Sequence, residues 1–203
     1  MSKNNHVLAC FDFDGTITRK DTLFDFFLYT FGACRLYSEL YKFLPILLGY
    51  AVGLVPNDIA KEHLISGFLQ GMPYEQFIQH TEKYALFRID EILHPMAMPT
   101  IQKHQEAGHE IVVVSASIEE WIRPWCESKN IRHVFASRLE QKDFVLTGKF
   151  STKNCNGQEK VRRIQEHFDL KDFEQIYAYG DSAGDNEMIA IADIKFYRWR
   201  QIC

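Results

Sequence analysis

Three apolar runs in this chain each stop at a cluster of polar residues: HVLACFDFDG from His6, HEIVVVSAS from His109 and IYAYGDS from Ile176. In the second, Ile111 to Val114 places β-branched aliphatic residues in an unbroken row, the pattern of a strand covered on both faces. Helical spacing fills the intervals, from Met96 to Ala107 before Gly108, from Ile118 to about Lys129, and from Gln158 to Phe168. Strand alternating with helix gives an α/β fold with a Rossmann-like parallel sheet. Ligands of such sheets sit at the carboxyl ends of the strands, so the three polar clusters fall on one edge. The shorter pair HVFASRLEQ and FVLTGKF predicts a hairpin or edge extension turning at Lys142–Asp143. DIKFYRW predicts a last strand after a helix from Asn186 to Ala192.

The alternation breaks between about Asp21 and Ile92, where Phe, Leu and Tyr recur at helical spacing with no strand signal. This predicts a small all-helical cap at residues 21–91, inserted into an α/β core made of residues 1–20 and 92–203. Within it, FLPILLGYAVGLV (Phe43 to Val55) is almost wholly apolar. It is shorter than the roughly 20 residues of a spanning helix, and prolines and glycines interrupt it. A packed cap helix is the expectation, with peripheral membrane contact the alternative.

Composition narrows the class of partner. Lys and Arg total 23 against 27 for Asp and Glu, a net charge of −4, so no global basic field points to nucleic acid. Five scattered cysteines without CxxC or Cys/His spacing fit reduced thiols rather than a disulfide frame or zinc site. The start MSKNNHV shows no export signal, and a cytoplasmic location is expected.

The chemistry lies in the clusters. Asp12 and Asp14 alternate with Phe11 and Phe13, so a period of two points both carboxylates the same way. Like charges that close must share a proton or a cation. GDSAGD adds Asp181 and Asp185 across a strand-to-helix turn, and an oxygen-only ligand set suits Mg²⁺. After the middle strand, Ser115 ends the run, and Ser117 with Glu120 has the spacing of a capping box. The following helix then aims free N–H groups at the same edge, an anion site. Lys160 falls in the first turn of a helix, where the dipole disfavours a cation, which suggests a site rather than a solvent face. Acidic cluster, anion pocket and lysine together read as a phosphate-handling site.

DFDGT, the strand-end Ser115, Lys160 and GDSAGD, in that order, resemble the four motifs of the haloacid dehalogenase superfamily, and the helical insertion resembles the cap of its phosphoserine-phosphatase-like branch. The resemblance implies an Mg²⁺-dependent phosphomonoester hydrolase with Asp12 as nucleophile, through an aspartyl-phosphate, and Asp14 as general acid and then base. It further implies Asp12, Asp14 (through its carbonyl), Asp181 and Asp185 as the metal set, and Ser115, Ala116 and Lys160 as the phosphate grip. The second aspartate argues against dehalogenation, because the dehalogenating members lack it.

The substrate is expected to be a small phosphorylated metabolite. Where phosphoserine phosphatases carry a glutamate after the first motif, this chain has Asp21, a candidate substrate contact one methylene shorter. HLISGFLQ offers no arginine for a substrate carboxylate; Arg35, Lys61 and Arg88 are the cap cations that could replace it. The apolar cap segment, CNGQEKV and the closing FYRW are also similar to a bacterial sub-branch that includes phosphatidylglycerophosphatase of the C type, which gives lipid phosphates as an alternative. A non-catalytic phosphate-binding regulator and phosphotransfer to an acceptor other than water are the remaining readings.

Overall fold

The computed structural model describes residues 6–51, 53–54 and 56–203. Most of the MSKNNHV start, and Val52 and Val55 of the apolar cap segment, lie outside the described residues. The strands are β1 (Val7–Phe11), β2 (Glu110–Ile118), β3 (His133–Ser137), β4 (Leu139–Lys142), β5 (Val145–Phe150), β6 (Gln175–Gly180), β7 (Ile194–Tyr197) and β8 (Arg200–Ile202). A six-stranded sheet runs in the order β3-β2-β1-β6-β7-β8, while β4 and β5 pair apart from it. Every neighbouring pair in the large sheet is parallel except β7 with β8. β1 is therefore central, and its period of two serves both faces. Leu8 and Cys10 join one apolar cluster with Val112, Val114 and Ala178. Ala9 and Phe11 join the other with Val113, Tyr179 and Trp121.

The helices are α1 (Thr22–Lys42), α2 (Leu44–Ala51), α3 (Asn57–Leu69), α4 (Tyr74–Phe87), α5 (Ala97–Glu106), α6 (Glu119–Ser128), α7 (Gln158–His167) and α8 (Asn186–Ala190). α1 breaks at Gly32, where φ is +80°, a left-handed conformation that glycine adopts without steric cost. Aromatic stacking joins the helices: Phe26 of α1 lies 4.6 Å from Trp121 of α6, and Phe27 lies 4.1 Å from Phe68 of α3.

Two local expectations are corrected. HVFASRLEQ does not form a single strand: His133–Ser137 extends the sheet edge, parallel with β2, and Leu139–Lys142 forms the hairpin arm. The chain leaves the sheet at Arg138, whose N–H is taken by Thr152 Oγ1 at 3.1 Å. The hairpin is β4 with β5, and it turns at Asp143–Phe144, both at positive φ (51° and 63°). It is tied to the loop between α3 and α4, where Gly71 donates to the Leu146 carbonyl and Leu146 to the Met72 carbonyl, both at 2.9 Å.

In the apolar segment expected to pack, Phe43 lies against the core cluster, whereas among the described residues Leu48 and Leu54 are 58% and 81% exposed, as is Tyr41 just before the segment (78%). Among the described residues no helix is long and apolar enough to cross a membrane.

Asp25 closes the helical region on itself. Its buried carboxylate accepts two bonds from Arg88, just beyond α4, at 2.8 and 2.9 Å, and others from Tyr84 at 3.3 Å and Lys20 at 3.4 Å. Burial works to raise its pKa, but Arg88 and Lys20 together hold it below the usual carboxylate value. A depressed folded pKa stabilises the fold above the unfolded carboxyl's own pKa, and the stabilisation fades as pH falls through the folded value. Asp25→Ala is expected to cost about 3 kcal/mol near neutrality and progressively less below about pH 4. Denaturant titrations at both pH values check this, and a difference that does not shrink in acid refutes the ionic clasp.

Candidate active site

Because β2, β1 and β6 are neighbours, their carboxyl ends bring the three polar clusters together. The Asp12 N–H donates to the Tyr179 carbonyl at 2.9 Å, extending the parallel ladder one residue past β1 and fixing where its carboxylate stands. Lys160 reaches this point from the first turn of α7. It is 1% exposed, and its Nζ donates to Asp12 Oδ1 at 2.5 Å and to Asp185 Oδ1 at 2.6 Å. The loops that deliver these groups are locked to each other, since Gly157 at the start of α7 donates to the Gly184 carbonyl at 2.9 Å. A Cβ on Gly184 has no room against the Asn156 side chain. On the Asp185 side, Oδ2 accepts from the Asp181 N–H (3.1 Å) and from the Ser182 N–H and hydroxyl (both 2.9 Å). GDSAGD thus folds its own capping box around Asp185.

Asp14 stands apart from this ion cluster. Its Oδ1 accepts from the Thr22 N–H at 2.9 Å, at the start of α1. Immediately after Asp14 the chain passes through Gly15 at φ +79°, where any Cβ collides with the Asp181 carboxylate. The glycine of FDFDG thus serves both a left-handed turn and a close approach. Thr22 Oγ1 in turn meets Ser117 Oγ at 2.8 Å and accepts from Trp121 Nε1 at 3.1 Å. Asp21 caps α1, accepting from the Leu23 and Phe24 N–H groups at 2.9 and 3.3 Å, so its carboxylate is engaged at the rim of the site.

The helix-capping role expected of Ser117 is not observed. β2 continues through Ile118, with a register shift against β3 between Ser115 and Ile118, and α6 begins only at Glu119 without a side-chain cap. Ser117 is held in extended backbone because its hydroxyl is taken by Thr22 and its N–H donates to Ser115 Oγ at 3.0 Å. Glu120 accepts instead from the Leu139 N–H at 3.4 Å. Ser115 and Ala116 line the cavity without a helix start behind them.

Asp12, Asp181 and Asp185 each offer an oxygen, all within 4.8 Å of one another. Burial raises Asp12 to about 7 against the pull of Lys160. Burial likewise raises Asp181, with Asp185 adding to the effect. Asp185 is instead lowered, as Lys160 and the Ser182 donors outweigh its burial. Lys160 keeps its charge: burial opposes it, but the two carboxylates raise its pKa. One ammonium does not balance two buried carboxylates and the half-buried Asp181, and the oxygen-only donor set fits a hard divalent cation. Asp14 is also raised to about 7, first by burial and then by Asp21.

The cavity beside these groups measures about 410 Å³. It is also lined by Leu23, Phe24 and Leu64, with Arg19, Lys20 and Lys61. Of the three cap cations considered from sequence, only Lys61 faces it. Arg35 donates to the Phe68 carbonyl and lies over the Phe31 ring, and Arg88 is spent on Asp25 and Glu91. Lys61 makes a 3.5 Å contact to the Ala116 carbonyl and, among the described residues, no ion pair. Nothing in its sequence neighbourhood distinguishes it from a solvent-facing lysine. Its position depends on how α3 packs against α1 and β5.

The description haloacid dehalogenase-like hydrolase fits residues 9–190 of this chain. Protein CicA of Caulobacter vibrioides (strain NA1000 / CB15N) is 31% identical over 193 residues, covering 95% of this chain and 86% of that protein. The histidinol-phosphatase of Neisseria meningitidis serogroup C (strain 8013) is 28% identical over 118 residues, covering 55% of this chain and 53% of its own. Among solved structures, a protein of unknown function from Bordetella pertussis Tohama I superposes with a TM-score of 0.81 at 21% identity, covering 95% of this chain and 90% of that one. A substrate-bound phosphoserine phosphatase superposes with a TM-score of 0.68 at 22% identity, covering 94% and 84%. Those structural likenesses concern the fold. The family match spans β1 through α8 and includes each acidic and basic group brought together here, and this chain belongs to the haloacid dehalogenase-like hydrolases.

Proposed function

We propose that this enzyme is an Mg²⁺-dependent phosphatase that hydrolyses phosphomonoesters through an aspartyl-phosphate. The observation that carries the reading is the division of labour between two neighbouring aspartates. Asp12 is bonded to Lys160 in the ion cluster, whereas Asp14 is held by a single N–H beside the cavity. An Asp12 oxygen attacks phosphorus, the P–O bond to the leaving group breaks, and the leaving oxygen takes a proton from Asp14. Water then attacks the phosphoryl group, Asp14 takes its proton, and the bond to Asp12 breaks. A carboxyl raised to about 7 is suited to both transfers near neutrality. Lys160, Ser115 and the backbone at Ala116 hold the phosphoryl oxygens. Asp12, Asp181, Asp185 and the Asp14 carbonyl would hold the cation, which supplies charge neutralisation at the transferring phosphoryl group. Lys61, with Arg19 and Lys20, faces the leaving group and favours one that carries a second anionic charge.

Hydrolysis of an aryl phosphate with Mg²⁺ tests this reading. Asp12→Asn is expected to abolish turnover, and EDTA to suppress it reversibly; full activity in EDTA refutes the mechanism. Lys160→Ala is expected to lower turnover by about 10²–10³-fold and to weaken inhibition by tungstate. Retained tungstate affinity removes Lys160 from the phosphate site. Turnover also excludes a purely regulatory role, and transfer to an added alcohol in competition with water identifies a phosphotransferase.

Exposure of the cap supports a second reading, a lipid phosphate as substrate. Leu48 and Leu54 project from the helical region with Tyr41 nearby in sequence, the kind of apolar surface that enters a membrane interface. Leu48→Gln with Leu54→Gln is expected to spare thermal stability and hydrolysis of soluble phosphomonoesters while reducing co-sedimentation with phosphatidylglycerol vesicles and activity on a lipid phosphate. Equal loss on soluble and lipid substrates refutes the membrane role.

A further inference from the structure

The closing FYRW is not used by the chemistry above, yet its turn reaches the site. β7 and β8 are joined by Arg198 and Trp199, with Tyr197 opposite Arg200. Both turn residues have positive φ, 50° and 61°. This is the geometry of a two-residue primed hairpin turn, which Asn-Gly fills at little cost and which β-carbon-bearing Arg and Trp strain. Local propensity therefore does not account for these two residues.

Their side chains do. Trp199 Nε1 donates to the Thr16 carbonyl at 3.1 Å, and its ring lies 5.3 Å from His94 in a stacked arrangement and 5.6 Å from Tyr179. Arg198 Nε donates to the Asp181 carbonyl at 3.1 Å, while its N–H donates to the Gly180 carbonyl at 2.8 Å. One side chain grips the loop after β1 and the other the loop after β6. Those two loops meet at Gly15 and Asp181 with no space between them. We propose that Arg198 and Trp199 are positioning residues that set the distance between Asp12 and the Asp181–Asp185 pair, and so the affinity of the acidic cluster for its divalent cation. The inference rests on the cation site of the proposed function.

Mn²⁺ binding, followed by the loss of the free-ion electron paramagnetic resonance signal, tests it alongside thermal melts. Trp199→Phe keeps an aromatic ring for stacking and removes the indole donor. Arg198→Asn removes the guanidinium and places a residue tolerant of left-handed backbone in the turn. Each variant is expected to weaken Mn²⁺ binding about tenfold, and Arg198→Asn to do so without lowering the melting temperature. A turn with a structural role alone predicts an unchanged or higher melting temperature for Arg198→Asn with Mn²⁺ affinity within about twofold of the parent, and that result overturns the inference. Asp181→Asn serves as the control for the site. A parent protein that binds no Mn²⁺ overturns the cation reading and this inference with it, whereas a parent that binds and variants that match it overturn this inference alone.

Discussion

An ammonium group shared between two carboxylates, away from water, is the constraint on which the site depends. Lys160 is buried with Asp12 and Asp185, and a charge in that setting is tolerable only when its partners are held in place. Each partner comes from a different part of the chain: Asp12 from the end of β1, Asp185 from the loop after β6, and Lys160 from the first turn of α7. The Gly157–Gly184 bond, the capping box around Asp185 and the ladder bond at Asp12 all fix backbone near this triad. Moving any of these loops leaves a buried charge unpaired, so the ion cluster disciplines the surrounding backbone as much as the backbone positions the cluster.

A second set of contacts ties the catalytic edge to the helices above it. Thr22 is the junction: its N–H holds Asp14, and its hydroxyl bridges Ser117 on β2 and Trp121 on α6. Three residues on, Asp25 binds the end of α4 through Arg88. The β4–β5 hairpin adds backbone bonds to the loop between α3 and α4. The wall of the cavity that carries Lys61 is therefore braced at α1, at α4 and at the hairpin, and it joins the sheet through a continuous apolar cluster.

The charge balance points the same way as the geometry. Two of the three clustered carboxylates pair with Lys160, while the same cavity is also lined by Arg19, Lys20 and Lys61 with Leu23, Phe24 and Leu64. The oxygen-only acidic cluster suits a hard divalent cation. Beyond the cavity, Tyr41, Leu48 and Leu54 stand in solvent, apolar surface that packing of the helices does not employ.

Much of this architecture was legible from residues alone. Apolar runs ending in Asp and Ser, one of them an unbroken β-branched row, predicted a parallel sheet with its chemistry at one edge, and Lys160 stood out because a helix dipole argues against a lysine in a first turn. The sequence could not show that Ser117 stays extended, since its hydroxyl satisfies Thr22, a partner distant in the chain, instead of capping the next helix. Nor could it separate Lys61 from Arg35 and Arg88, because which cation remains unpaired depends on where Phe68, Asp25 and Glu91 come to lie. The exposure of the apolar cap segment was likewise undetermined, as composition is the same whether leucines face one another or water. Local pattern records what each residue requires of its neighbours along the chain; only tertiary packing decides which distant group meets the requirement.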